Sequence, residues 1–247
     1  MIVKSLSLMI VIASMLQLSA NELLVVTENW PPYNYREKGQ VVGASTEVVK
    51  KVLAKANYKY SIHLYPWARS YQIALYKPNV IIYTILRTPE RESLFKWIGP
   101  LFSGKQFYLY KLSSRRDIAL SNVSDAKEYI VGVMRGDVSH QFLSSVGFEE
   151  KKALSISVSE EENIKKLYAF KVDLISGNNI TLPIRLKKLG LKFEDVYPAI
   201  MTFKYNYYMA VSNNTSNEVY NKLNNAFKEI YNDDIKNKII KKHNISP

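Results

Sequence analysis

The 247-residue chain contains no cysteine. This absence excludes disulfide bonds, thiolate catalysis, cysteine-based metal sites and attachment of lipid to an N-terminal cysteine. Histidine is also scarce, and His63, His140 and His243 are too far apart in the sequence to show metal-ligand spacing. Sequence motifs of phosphate-binding loops, dinucleotide-binding folds and serine hydrolases are missing too. We therefore expect no cofactor and no metal ion.

Only one long apolar run occurs, and it lies at the N-terminus. Lys4 precedes an almost unbroken apolar stretch over residues 6–18, which is shorter than the ~20 residues that a bilayer-spanning helix needs. Small residues at 19–20 then offer a cleavage site. This order predicts a cleaved signal peptide over residues 1–20, with an uncleaved anchor as the alternative. We expect the mature chain, 21–247, to be exported to the periplasm without a lipid anchor.

Acidic residues are few compared with basic ones. The chain has 34 lysines and arginines against 22 aspartates and glutamates, and its formal net charge of +12 becomes +11 once Lys4 leaves with the signal peptide. Such a charge can indicate contact with nucleic acid or an anionic membrane. The lysines are scattered, however, and no run interleaves them with aromatic residues on one element. We therefore expect a solvated basic surface and no nucleic-acid partner.

Strand and helix patterns alternate along the first part of the mature chain. Residues 23–27, 60–65 and 80–86 have the composition of strands, and helical spacings over 45–56 and 67–76 separate them. This order predicts a mainly parallel sheet that helices cover.

The alternation restarts after residue 106 and returns at the end to elements of the first kind, with Thr215 and Glu218 forming a predicted capping box before the last helix. We predict an α/β protein of two lobes. Residues 21–106 and 206–247 form lobe 1, and residues 107–205 form lobe 2. Two strand-like chain crossings between the lobes would act as a hinge.

Loops that follow strand ends are where open α/β sheets bind ligands. The first such loop contains Glu28, Trp30 and Tyr33, and its density of aromatic residues suits the wall of a cleft better than a plain connector. The second contains Trp67 and Arg69. Trp67 is a candidate to face Trp30 across a cleft, whereas Arg69 points either inward or into solvent.

The third loop, residues 86–92, combines arginines with a helix start. Arg87 is followed by Thr88, which suits an N-cap, and by Pro89, which suits the first helical position. Arg91 offers a planar guanidinium suited to a carboxylate. Its flanking glutamates offer a plainer role in a surface ion pair, and spacing alone favours that role.

The segment from Thr84 to Leu101 contains T-P-E-R followed by F-K-W-I-G-P-L, which resembles the T-x-E-R and F-S-x-P segment of family 3 bacterial extracellular solute-binding proteins. The opening stretch V-V-T-E-N-W-P-P-Y-N-Y, with Gly43 before the first helix, is similar to the start of the same family. The similarity in order and length covers essentially the whole mature chain. It implies a two-lobed periplasmic-binding-protein-like fold that closes on its ligand, and it argues for a binding protein over an enzyme.

The resemblance also implies roles for individual residues. Members of this family are polar amino-acid receptors of ABC importers, so the implied ligand is small, polar and carboxylate-bearing, and the implied partners are ABC-permease subunits. Arg91 falls on the arginine that grips the ligand carboxylate, and Trp30 falls on or near an aromatic wall. Gly136, Asp137 and Val138 match a turn at a helix N-terminus, where main-chain N–H groups can bind an anion. We expect the receptor to be a monomer.

One position departs from the family pattern. Where the amino-acid receptors usually place an acid for the ligand ammonium, this chain has Asn178, or Asn179 after a one-residue shift. A neutral amide balances a buried ammonium poorly. Together with Arg69, Arg87 and Arg135, this departure predicts a positively charged pocket that favours an acidic, modified or non-amino carboxylate.

Two other functions stay open from the sequence. One is an enzyme on the same scaffold that resembles the periplasmic cyclohexadienyl dehydratases, with Glu28 as the candidate cleft acid. The other is a sensory module that presents its ligand to a membrane partner.

Overall fold

The computed structural model describes residues 22–104 and 106–245. The predicted signal peptide lies outside the described residues. Among the helices that the structure describes, none has both the length and the apolar composition needed to cross a bilayer.

Lobe 1 is built on a five-stranded sheet. Its strands are β1 (Glu22–Thr27), β4 (Lys59–Leu64), β5 (Val80–Leu86), β6 (Phe95–Phe102) and β12 (Tyr207–Ser212), while β2 (Tyr35–Glu37) and β3 (Gln40–Val42) form a separate hairpin. The sheet order is β4-β1-β5-β12-β6. Strand β1 pairs in parallel with β4 and β5, and β12 pairs antiparallel with β5 and β6.

Helices cover both faces of this sheet. On one face lie α1 (Ala44–Lys55), α6 (Asn217–Ile230) and α7 (Asp233–Lys242), and on the other lies α2 (Trp67–Tyr76). Every residue of β5 is buried because helices pack on both of its faces. Gly43 is the N-cap of α1 and has a φ of 116°. A Cβ at this position would lie 2.4 Å from the Tyr33 carbonyl oxygen, so no side chain fits there.

Lobe 2 contains the second five-stranded sheet. Its strands are β7 (Gln106–Leu112), β8 (Val131–Met134), β9 (Leu154–Ser157), β10 (Leu174–Asn178) and β11 (Val196–Lys204), in the order β11-β7-β10-β8-β9. Helix α3 (Val138–Ser145) packs on one face, and α4 (Glu160–Tyr168) and α5 (Thr181–Lys188) pack on the other. The prediction of two α/β lobes is confirmed.

The two sheets are joined by two chain crossings that touch each other. One crossing links β6 to β7 and the other links β11 to β12. The Gly104 N–H donates to Asn206 Oδ1 at 2.7 Å. A Cβ at position 104 would lie 1.7 Å from the Tyr205 carbonyl oxygen, so only glycine permits this approach.

The lobes are closed against each other. Trp67 Nε1 of lobe 1 donates to the Gly136 carbonyl of lobe 2 at 2.7 Å. The Trp30 ring of lobe 1 stacks on Phe107 of lobe 2 with 6.4 Å between the ring centroids. These contacts place the loops that follow the lobe 1 strands directly opposite α3.

Three local features differ from the sequence-based expectation. Each sheet has two parallel and two antiparallel pairings, so both sheets are mixed and not mainly parallel. Strand β6 was not predicted, because Gly99 and Pro100 interrupt its apolar pattern. The cap of α6 is Ser216, whose hydroxyl accepts from the Val219 N–H, while Thr215 instead accepts from the Asn79 N–H.

Candidate functional site

A small cavity lies between the lobes at the carboxyl ends of β1 and β5. Lobe 1 contributes residues of β5, the start of β12 and the segments that follow β1, β4 and β5, and lobe 2 contributes residues of β7 and β8 and the start of α3. The lining residues are Glu28, Trp30, Trp67, Thr84, Leu86, Arg91, Phe107, Met134, Asp137, Val138 and Tyr207. The cavity volume is about 30 Å³, which is the space of roughly one water molecule. Closure in this structure is therefore tight.

Arg91 is a fully buried cation at this cavity. It lies in the short 3-10 helix Pro89–Leu94 and is 1% exposed. Its Nε donates to Gln141 Oε1 of lobe 2 at 2.9 Å, and its Nη1 donates to the Leu86 carbonyl at 3.3 Å. The guanidinium carbon lies 5.0 Å from the centre of the Trp67 ring. Burial lowers the pKa of Arg91, but an arginine stays charged in proteins.

The second terminal nitrogen of Arg91, Nη2, has no hydrogen-bond partner within the described residues. A buried N–H without an acceptor costs free energy, and the cost is larger for a charged group. The cavity beside Arg91 is therefore suited to an acceptor from a ligand, and a carboxylate makes the strongest such contact.

Two carboxyl groups from opposite lobes share this cavity. Glu28 follows β1 in lobe 1. Asp137 is the N-cap of α3 in lobe 2, where its Oδ1 accepts from the His140 main-chain N–H at 2.7 Å. Burial raises the pKa of Asp137 to about 7. Burial, together with the negative charge of Glu160, raises the pKa of Glu28 well above its usual range.

Arg185 of lobe 2 bridges the lobes beside the cavity and is 3% exposed. Its Nη2 donates to the Asn29 carbonyl of lobe 1 at 2.7 Å, and its guanidinium carbon lies 5.1 Å from the centre of the Trp30 ring. On its own lobe, Nη1 lies 2.7 Å from Glu161 Oε1. Nε lies 2.8 Å from Glu160 Oε2, although its N–H does not point at that oxygen.

The neighbouring carboxyl groups influence the pKa of Arg185, and Arg185 in turn influences the pKa of Glu160. Burial alone would lower the pKa of Arg185, but the charges of Glu160 and Glu161 raise it. Burial raises the pKa of Glu160 to about 7, and the attraction of Arg185 opposes that rise.

A strained residue forms part of the cavity wall. Thr84 has a φ of 59°, which β-branched residues rarely adopt, and the pairing of β5 with β12 shifts register beside it. Its Oγ1 is buried and has no partner within the described residues, as is also true of the Tyr207 hydroxyl. Strained residues of this kind cluster at ligand sites, where the surrounding structure holds them in place.

Half of the predicted site residues line the cavity, namely Glu28, Trp30, Trp67, Arg91, Asp137 and Val138. Gly136 lies next to them and accepts the Trp67 N–H. Thr88 is buried immediately before the helix of Arg91. Tyr33 is packed in the lobe 1 core against Phe102 and Tyr207.

Three arginines that were expected near the ligand lie elsewhere. Arg69 stacks on Tyr65 at 4.1 Å, Arg87 forms an ion pair with Glu92, and Arg135 is exposed at the edge of lobe 2. None of them lines the described cavity. The expectation of a positively charged pocket is therefore wrong, because the cavity brings together two carboxyls and one guanidinium.

Asn178 has a structural role in the closed form. Its Oδ1 accepts from the N–H groups of Ile180 and Thr181, both at 2.9 Å, at the start of α5. Its Nδ2 is buried without a partner in the described residues. The amide oxygen is thus committed to the helix and is not available to a ligand cation.

Several residues at the site could not be identified from local sequence patterns. Gln141 and Arg185 lie on helices of lobe 2, and only lobe closure shows that they contact lobe 1. Glu160, also of lobe 2, lines a groove together with residues of lobe 1. Met134 at the end of β8 follows the strand-end rule and could have been found with it. Thr84 was hidden because its positive φ cannot be inferred from a continuous apolar strand.

A larger groove of about 510 Å³ adjoins the cavity and opens to solvent. Glu28, Trp67 and Met134 line both spaces, so they connect the cavity with the groove. Glu160 and Arg185 line its lobe 2 side. Within the described chain, no cluster of three or more acidic or histidine side chains is suited to hold a metal ion.

Solved structures of the same architecture cover nearly the whole chain. An ancestral arginine-binding protein bound to arginine superposes with a TM-score of 0.75 at 21% identity, covering 90% of this chain and 98% of its own. A histidine kinase sensor domain with similarity to periplasmic binding proteins gives 0.78 at 14% identity, covering 90% and 95%. The arginine-, lysine-, histidine-binding protein ArtJ from Geobacillus stearothermophilus gives 0.75 at 18% identity, covering 92% and 96%.

At these identities the similarity establishes the fold alone. No curated protein matches the chain significantly. The family model of the bacterial extracellular solute-binding proteins, family 3, matches residues 23–245. The match spans both lobes and the cavity between them, and it shows that this chain belongs to the family 3 bacterial extracellular solute-binding proteins.

Proposed function

We propose that this protein captures a small carboxylate-bearing solute, similar to an amino acid, between its two lobes in the periplasm and delivers it to an ABC importer. The observation that carries the proposal is Arg91. Its guanidinium is buried at the inter-lobe cavity, and its Nη2 lacks an acceptor within the described residues.

A ligand carboxylate supplies the missing acceptor. Nη1 of Arg91 donates to the Leu86 carbonyl of its own lobe, whereas the bond from Nε to Gln141 of lobe 2 forms when the lobes close, so closure completes the orientation of the guanidinium. A charge-assisted hydrogen bond in a closed cleft contributes about 1.5–3 kcal/mol.

Capture requires the lobes to move. A cavity of about 30 Å³ is too small for an amino acid, whereas the adjoining groove of about 510 Å³ is not. The ligand therefore enters a more open form, and the lobes close over it by bending at the Gly104 and Tyr205 crossings. Several structural neighbours carry amino acids such as arginine and glutamine, which supports an amino-acid-like ligand.

Location and partner follow from the same proposal. The N-terminal pattern of residues 1–20 predicts export, and the family consists of extracellular solute-binding proteins. One neighbour is the substrate-binding protein of an amino acid ABC transporter, which supports delivery to a permease. We expect the receptor to act as a monomer.

Glu28 favours a second candidate function, an enzyme on the same scaffold. Burial raises its pKa well above the usual range, and a protonated carboxyl in a cleft can act as a general acid. Incubation with prephenate or arogenate tests this alternative by the absorbance of an aromatic product. We expect no such product from a binding protein.

The test of the main proposal is a calorimetric screen of amino acids and small carboxylates. Arg91→Ala should weaken binding of the best ligand by roughly tenfold to a few hundredfold, because each ~1.4 kcal/mol is tenfold in affinity. Arg91→Lys should restore little, since an ammonium cannot reproduce the fork of donors. The control is Arg116→Ala, an exposed arginine of lobe 2. Equal affinities for Arg91→Ala and the wild type would contradict the proposal.

A further inference from the structure

Lobe 2 carries a groove of about 420 Å³ along strand β9, here the β9 groove. None of its lining residues lines the inter-lobe cavity or the larger groove beside that cavity. Strand β9 lies at the edge of its sheet, where it pairs in parallel with β8 on one side. The β9 groove is therefore separate from the candidate ligand site, and it follows the open edge of a sheet.

Hydrogen bonds of the main chain show which residues of β9 face this open edge. The carbonyl groups of Ala153 and Ser157 accept from β8 at 2.8 and 2.9 Å. Because main-chain groups alternate between the two sides of a strand, those of Leu154 and Ile156 face outward. The Leu154 N–H donates to the Glu149 carbonyl of the preceding turn at 3.1 Å. Within the described residues, the main-chain N–H and C=O of Ile156 have no such partner and stay available at the edge.

The β9 groove is strongly basic. Four cations against one carboxylate leave an excess of three positive charges, and that carboxylate, Glu150, lies 3.1 Å from His140 Nε2. Strand β9 itself, Leu-Ser-Ile-Ser, carries no charge, so the cations come from the segments that flank it. These four cations are Arg135, Lys151, Lys152 and Lys171. Such a concentration of one charge attracts a partner of the opposite sign.

The apolar part of the groove narrows the class of partner. Leu154, Ile156 and Ile130 line it, and Ile130 is 42% exposed. No aromatic side chain lines the groove, so nucleic-acid bases would find no surface to stack on. A second copy of this chain, paired through the same edge, would bring the two sets of cations together and be repelled. An acidic polypeptide with apolar side chains satisfies both the charge and the floor of the groove.

We propose that the β9 groove is a docking surface for an extended, acidic segment of another protein, which pairs with the open edge of β9. The main chain of the segment bonds to Ile156, its acidic side chains meet the surrounding cations, and its apolar side chains pack on Ile130 and Ile156. The four residues of β9 span ~13 Å, which offers few main-chain hydrogen bonds. Charge therefore contributes much of the affinity. This interaction goes beyond solute capture and does not depend on the ligand in the cleft.

The test measures fluorescence anisotropy of a labelled peptide of about seven residues, alternating aspartate and valine, added to the whole protein. A second peptide has proline in place of valine, which keeps the charge but prevents pairing with a strand. The aspartate–valine peptide should bind at least about tenfold more tightly than the proline peptide. Raising sodium chloride from about 50 mM to about 300 mM should weaken its binding.

Matched variants locate the site. Arg135→Glu with Lys171→Glu should weaken binding of the aspartate–valine peptide at least about tenfold. Lys165→Glu with Lys187→Glu, two exposed lysines on α4 and α5, changes the net charge equally and should leave binding unchanged. Circular dichroism establishes that each variant is folded. In the wild type, the peptide should also slow hydrogen exchange at the Ile156 amide.

The possible outcomes separate strand pairing from simple attraction. Equal binding of the two peptides, or unchanged exchange at Ile156 in the saturated complex, overturns the pairing with β9. Equal losses in the two double variants overturn the location. Binding of oligothymidylate as tight as that of the aspartate–valine peptide assigns the groove to nucleic acid and overturns the proposal, as does the absence of peptide binding to the folded wild type. Solute capture is unaffected by any of these results, since no ligand of the cleft takes part.

Discussion

Arg185 offers the sharpest test of how the lobes are held together. Arg185→Met removes the charge but keeps a long side chain. The hydrogen bond to the Asn29 carbonyl and the cation–π contact with Trp30 are both lost. Glu160 then stays buried without its partner. Removal of one member of a buried ion pair typically costs ~3–5 kcal/mol. At acidic pH the loss in the free energy of unfolding should be nearer ~3 kcal/mol, because a proton can neutralise Glu160.

The assay is urea unfolding followed by tryptophan fluorescence, at about pH 8 and about pH 5. The control is Arg115→Ala, whose ion pairs with Asp117 and Asp173 lie at the lobe 2 surface, where exposed pairs contribute ~0–1 kcal/mol each. Arg185→Met combined with Glu160→Gln should recover part of the loss. The same loss for Arg185→Met and Arg115→Ala, or no difference between the two pH values, would refute the reasoning.

Further predictions concern the hinge, the cross-lobe contact and the buried acids. Gly104→Ala should keep the crossings from packing, since its Cβ would lie 1.7 Å from the Tyr205 carbonyl oxygen, and small-angle scattering should show a less compact protein. Trp67→Phe removes the 2.7 Å hydrogen bond to Gly136, which should lower the closed-to-open ratio about fivefold for a bond worth ~1 kcal/mol, measured by scattering with and without ligand. Because the folded-state pKa of Asp137 is raised to about 7, the native state binds more protons than the unfolded state above about pH 4. The free energy of unfolding of the protein, measured in urea, should therefore fall as pH rises from about 4 to about 7 and then level off. Asp137→Asn should flatten that slope.

Residues of the candidate site could be predicted where a local sequence pattern determines their position. Trp30 and Trp67 follow strand ends, and that placement alone brings them to the cavity. Asp137 came from the family resemblance, which implies an anion-binding turn at a helix N-terminus there, and the structure shows Asp137 as the N-cap of α3. Arg91 needed the family resemblance, since an arginine between two glutamates also fits a surface ion pair.

Contacts between lobes could not be predicted from the sequence. Whether Arg185 faces solvent or lobe 1 depends on the angle between the lobes, which no local pattern encodes. The same reason explains the error about pocket charge: Arg69 and Arg87 are close to the site in sequence, but each is held by a neighbour on the surface. Asn178 was assigned to the ligand because its hydrogen bonds to the N–H groups of Ile180 and Thr181, at the start of α5, depend on where β10 ends.

The central claim is that a ligand carboxylate binds Arg91 between the lobes. A crystal structure of the protein with the tightest ligand from the calorimetric screen tests it most directly. We predict a carboxylate oxygen within hydrogen-bond distance of Arg91 Nη2, about 2.7–2.9 Å, with the lobes closed over it. A ligand bound outside this cavity, or one bound there with Nη2 still lacking an acceptor, would contradict the claim.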